Sequence, residues 1–167
     1  MRMIEKRAQG WGFDLVVASI IFSFAIILFY IFAFNYSTGG EETFNNLAYE
    51  GQLVAESILS EGYPPDWNNN SVVRIGILSG NKINQTKLER FYNMTNVALN
   101  PGEYNRTKVL FNIAHDYNIS FSSPVNILGS EVYSIGRTKP NPENLIRVTR
   151  FSIYNNKPIT LDIDVST

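Results

Sequence analysis

The sequence predicts an α+β protein with an N-terminal transmembrane helix, an amphipathic helix, and then a small antiparallel β-rich head domain. Three observations predict it. Residues Phe13 to Phe34 read F-D-L-V-V-A-S-I-I-F-S-F-A-I-I-L-F-Y-I-F-A-F, and no charge falls between Asp14 and Glu41. Apolar or small residues then recur at helical spacing at Phe44, Leu47, Ala48, Gly51, Val54, Ala55 and Ile58. Near the C-terminus two alternating runs, Leu145 to Tyr154 and Ile159 to Val165, flank Asn155-Asn156-Lys157-Pro158, the pattern of an antiparallel hairpin.

As a helix rising about 1.5 Å per residue, Leu15 to Phe34 covers about 30 Å, the hydrocarbon thickness of a bilayer. The apolar region of a secretory leader is about 7 to 15 residues and ends in small residues, whereas this run ends in Phe32 and Phe34, so it is expected to stay on the mature protein. Arg2, Lys6 and Arg7 outweigh Glu5 before the span, and Glu41, Glu42 and Glu50 follow it. The positive-inside rule therefore places the N-terminus in the cytoplasm and the remaining chain outside the cell membrane. The expected organisation is a basic cytoplasmic head or leader (1–12), a span (13–36), a hinge and amphipathic helix (37–62) and an extracellular head domain (63–167).

The 167 residues leave room for one modest domain beyond the span. A net charge of -1 supplies no basic surface for nucleic acid, so that class of partner is excluded. With no cysteine there is neither a disulfide framework nor a thiolate site, and packing alone must hold the head.

Ser37-Thr38-Gly39-Gly40 can break or hinge a helix. Thr43 or Thr38 can then cap an amphipathic helix over Thr43 to Glu61, with Glu41 and Glu42 at its positive end and Gly62 and Pro64-Pro65 stopping it. Trp67 is expected to anchor the domain's edge rather than to stack a ligand. Val72 to Leu78 reads as a first strand, with Ser79-Gly80-Asn81 as its turn. Lys87 to Met94 reads as a short helix capped by Asn84 or Thr86, Lys108 to Phe111 as helix or helix end, and Tyr117 to Phe121 as a strand.

The head of the chain carries a further pattern. Lys6-Arg7-Ala8-Gln9 before a long apolar helix resembles the class III signal of archaeal type IV pilins and archaellins. The resemblance implies a cut by a prepilin peptidase after Ala8, with Arg7 and Ala8 before it and Gln9 as the new N-terminus; Gly10 and Gly12 offer alternative cuts. It also implies a structural role as a surface-filament or minor pilin-like subunit, partnered by the membrane and by itself or other pilin-like subunits. The family places an acid at the fifth mature position, whereas Asp14 would be the sixth. The alternative is a single-pass anchored module that never polymerises and whose head binds a ligand.

Asp14 at the edge of the span is costly unless paired or held in the interface; in a filament it could meet a neighbour's free amino terminus. Ser19 and Ser23, four residues apart, form a small-xxx-small spacing that lets membrane helices approach closely. Beyond the apolar core lie six Asn-X-Ser/Thr sequons, at Asn35, Asn69, Asn84, Asn93, Asn105 and Asn118. Composition alone would give about two or three, so a glycosylated exterior is expected, with Asn118 usable only if it points outward from its strand. No cofactor, metal or catalysis is expected. His115 is the sole histidine, Gly-x-Ser-x-Gly is absent, and Asp162 and Asp164 share the solvated face of a strand whose Leu161, Ile163 and Val165 face inward.

Overall fold

The computed structural model describes residues 4–35, 39–96 and 101–167, and the chain divides into two units, Met1–Gly40 and Glu41–Thr167. The first unit holds the helix α1 (Ile4–Asn35). It begins well before the apolar run because Ile4, Glu5, Lys6, Arg7, Ala8 and Gln9 are all compatible with helix. Of Arg7, Ala8, Gln9 and Asn35 only the helical backbone is described, and the candidate cap Thr38 lies outside the described residues.

The second unit begins within α2 (Gly39–Ile58), a helix distinct from α1 whose first two residues are the paired glycines. In a first turn the amide groups have no intrahelical partner to lose, and glycine costs less there than in mid-helix. Thr43, expected as a cap, lies inside the helix. The stripe is buried at Leu47, Gly51, Val54, Ala55 and Ile58, but Phe44 is 58% exposed because the head's core reaches only as far as Leu47.

The C-terminal sheet has four antiparallel strands in the order β4-β3-β6-β5. These are β3 (Asp116–Ile127), β4 (Ser130–Gly136), β5 (Leu145–Tyr154) and β6 (Lys157–Ser166). β5 and β6 pair without interruption from Leu145↔Ser166 to Tyr154↔Lys157. The turn between them is only Asn155-Asn156, with φ of 50° and 61°, the left-handed pair that a two-residue hairpin needs and that asparagine tolerates. On β3 the pairing with β4 shifts between Ser120 and Val125, so Phe121 to Pro124 bulge out, and Pro124 lies where no ladder donor is needed.

One face of the sheet makes the core. Tyr117, Ile119, Val125 and Ile127 of β3 and Ile159, Leu161, Ile163 and Val165 of β6 are buried there. α2 lies close against this face at Gly51, where an added Cβ would stand 2.9 Å from Val148 Cγ2. The opposite face carries Asp162 and Asp164, as the alternation predicts, with Arg147 bidentate on Asp164 at 2.6 and 2.8 Å.

Two short helices complete the packing: α3 (Gln85–Thr95) and α4 (Pro101–Phe111). Asn84 caps α3 by accepting from Lys87 N at 3.1 Å, while Leu88, Phe91 and Met94 are buried. The expected strand over Val72 to Leu78 shrinks to β1 (Leu78–Ser79), paired with β2 (Lys82–Ile83) across the predicted turn. Its neighbour explains the difference. Tyr63 exchanges bonds with Val73 and Arg74, Ile77 N donates to Ile58 O and Leu78 N to Ser60 O, so 72–77 pairs irregularly with the chain leaving α2 rather than with a strand. Gly76 permits this approach, since a Cβ would collide with Gly62 N and Ser60 O.

Candidate functional site

Within α1, Gly12–Phe34 is a 23-residue stretch long and apolar enough to cross a membrane. Every side chain along it is exposed, so the helix is uncovered around its whole circumference. Such a surface is stable only in lipid or against other apolar helices. Asp14 is exposed at its start and forms no ion pair among the described residues. Ser23 Oγ donates to Ser19 O at 2.8 Å, which satisfies that hydroxyl inside the helix and leaves a small surface one turn deep at Ser19 and Ser23. At the far end Tyr30 stacks on Phe34, ring centroids 6.0 Å apart, an amphipathic ring of the kind that favours an interface.

In the head, three polar groups that sequence reasoning did not single out fix the elements to one another. Glu50 of α2 is nearly buried; its carboxylate accepts from Ala114 N and His115 N at 3.1 Å and meets His115 Nδ1 at 3.1 Å. His115 is thus half of a clamp between α2 and the start of β3. Lys87 is also buried and donates to Glu61 O and Leu78 O, both at 2.8 Å, closing the exit of α2. The sequence shows only where they stand, Glu50 three residues after Leu47 on the apolar stripe and Lys87 three after the cap Asn84, and not what they hold.

The third group is a tyrosine pair. Tyr104 of α4 stacks on Tyr117 of β3 with centroids 5.3 Å apart; its hydroxyl accepts from Tyr117 N and donates to Tyr117 O, while Tyr117 Oη lies 2.6 Å from Thr107 Oγ1. Burial pushes the Tyr104 hydroxyl up to about 12, the charge of Asp116 adding to it against the Tyr117 hydrogen bond, and burial holds Tyr117 well above the ordinary tyrosine value. Unfolded tyrosine ionises near pH 10, so above that pH the unfolded chain loses these protons first. The stability they contribute is complete below about pH 10 and is lost as the pH rises through 10 toward 12. Tyr104→Phe should lower the thermal midpoint at neutral pH and flatten its decline above pH 10; an equally steep alkaline decline in the variant would show that this pair does not set it.

The head's outer surfaces are of two kinds. The solvent face of β5 exposes Leu145, Phe151 and Ile153, with Phe151 77% exposed. Beside the hairpin turn an open groove of about 340 Å³ is lined by Ser123, Pro124, Tyr154, Asn155, Lys157, Pro158 and Ile159, with Lys157 its one charged group. Among the described residues no cluster of three or more histidine, aspartate or glutamate side chains is placed to hold a metal.

Trp67, expected to anchor the domain's edge rather than to stack a ligand, is fully enclosed, with Nε1 donating to Gly76 O at 2.8 Å. The sequons spread over several elements: Asn69 in the loop after Trp67, Asn84 at the cap of α3, Asn93 on α3, Asn105 on α4 and Asn118 on β3. Asn118, paired with Asp164, is on the outer face of the sheet but only 9% exposed.

Family models, curated proteins and solved structures were all compared with the chain, and none matches it.

Proposed function

We propose that the chain is a structural subunit of a type IV pilus-like surface filament, or a minor pilin-like envelope protein, anchored by α1 with the head outside the cell. One observation carries the reading: an apolar helix bare on every side is joined to a head whose core is filled by its own residues. A helix of that kind serves equally in lipid and in a bundle of its own copies, so the subunit can leave the membrane for a filament without refolding its head. The small surface at Ser19 and Ser23 and the charge of Asp14 fit such a bundle, and Arg7-Ala8-Gln9 fits its processing. No catalytic role belongs to this reading. The rival, a lone anchor displaying a binding head, draws on the open groove beside the hairpin turn.

The test is the mature N-terminus in native membranes. Mass spectrometry is expected to find Gln9 first, with residues 1–8 removed; an intact Met1 would sink the filament reading and leave the anchored module.

A further inference from the structure

Asn69, Asn93 and Asn105 belong to three stretches that the head ties together. Arg90, one turn before Asn93 on α3, donates Nη1 to Trp67 O, two residues before Asn69. Arg106, the residue after Asn105 on α4, donates to the carbonyl of Asn69 itself at 2.6 Å. Asn105 is exposed and Asn69 and Asn93 are half-buried; among the described residues none of their side-chain amides enters a hydrogen bond. The other two described sequons differ. Asn84 spends its Oδ1 on the cap of α3, and Asn118 lies on an inner strand between Asp164 and Gly136, 9% exposed.

We propose that the head carries N-linked glycans in a patch around the Trp67–Ser71 loop, at Asn69, Asn93 and Asn105, and none at Asn118. The proposal rests on the reading that the head is extracellular. In the transfer, the Asn side-chain nitrogen attacks the anomeric carbon of an oligosaccharide activated on a lipid-borne phosphate. A C–N bond forms, the C–O bond to the phosphate breaks, the phosphate leaves with the electron pair, and the amide gives up one proton to a base of the transferring enzyme. Nothing is oxidised or reduced.

The structure also orders the events. A sequon needs the hydroxyl two residues on. Thr95 donates that hydroxyl to backbone carbonyls of α3 and is 3% exposed, and Thr107 donates to Tyr104 O and is 0% exposed, whereas Ser71 is exposed. Modification at Asn93 and Asn105 therefore precedes folding of the head, while Asn69 remains open afterward. Asn118 is closed once the sheet has formed, because its side chain, on the face it shares with Asp164, is only 9% exposed, and a glycan attached before folding would have to leave through that covered site.

The experiment is glycopeptide mass spectrometry on the protein from native membranes, alongside protease shaving of intact cells. Glycans at Asn69, Asn93 and Asn105 with a bare Asn118 peptide are expected. Asn93→Gln and Asn105→Gln should each remove one glycan mass while the head keeps its thermal midpoint to within a few degrees. The proposal is overturned if the head is shaved from intact cells and the three peptides are bare, or if Asn118 carries a glycan in protein that still unfolds cooperatively. A head protected in intact cells and cut only after permeabilisation would instead defeat the extracellular reading itself.

Discussion

Trp67→Ala is expected to destabilise the head by about 3–5 kcal/mol, the usual loss when a wholly buried large aromatic is cut back to a methyl. Against a typical total of about 5–15 kcal/mol, that leaves little folded protein at physiological temperature. The indole does two things at once. It fills the space under the chain leaving α2, so closely that a Cβ on Gly62 would come within 2.7 Å of its Cδ1, and its Nε1 satisfies Gly76 O at 2.8 Å. Trp67→Phe separates them: most of the apolar surface remains but the Gly76 carbonyl loses its donor, for a cost of about 1–3 kcal/mol. Urea unfolding of residues 41–167, expected to fold alone because the second unit contains its own core, would measure both. A loss below about 1 kcal/mol for the alanine variant would mean that the loop repacks around the gap.

The second large effect concerns assembly. If the chain assembles as proposed, replacing Ser19 and Ser23 together by leucine should abolish filaments while leaving membrane insertion intact. Leucine is among the residues most favourable at the centre of a spanning helix, so the anchor survives. The loss falls on contact between helices, because two branched side chains replace the small surface and hold backbones apart. The Ser23 hydroxyl already bonds to Ser19 O, so its removal leaves no polar group stranded in an apolar setting. Asp14→Asn should weaken assembly less, removing a charge while keeping the shape. Sheared surface fractions would be compared with membrane fractions; equal filaments in wild type and both variants, or none in any, would leave α1 as an anchor alone.

Local signals were legible in the sequence and distant ones were not. The β5–β6 hairpin announced itself through alternation and an Asn-Asn turn, and α3 through Asn84, because these patterns depend on residues a few positions apart. β4 went unread: its two inward residues, Val132 and Ile135, stand three apart, since the bulge of β3 breaks the period of two that marks a strand. Val72 to Ile77 misled in the opposite sense, a β-branched run whose backbone partners turned out to be the exit of α2. At the candidate site, the span and the sequons were readable as motifs, but the burial of Asn118 and of Thr107 depends on which strand or helix covers them. Glu50 and Lys87 were invisible as clamps because their partners are backbone groups, 64 and 26 residues away for Ala114 N and Glu61 O, which carry no sequence signature.

Those two clamps give the head a mechanical character. A pull along α2 loads the bonds from Glu50 to the backbone of 114 and 115, and those from Lys87 to the exit of the helix, at the same time. It also drags Gly51 across Val148, where the packing leaves no room for even a Cβ on the glycine. Resistance of this kind yields all at once rather than one bond after another, so the survival time under traction is governed by the unfolding rate of the whole head. A head tethered at one end and pulled at the other would hold its shape up to a threshold and then give way.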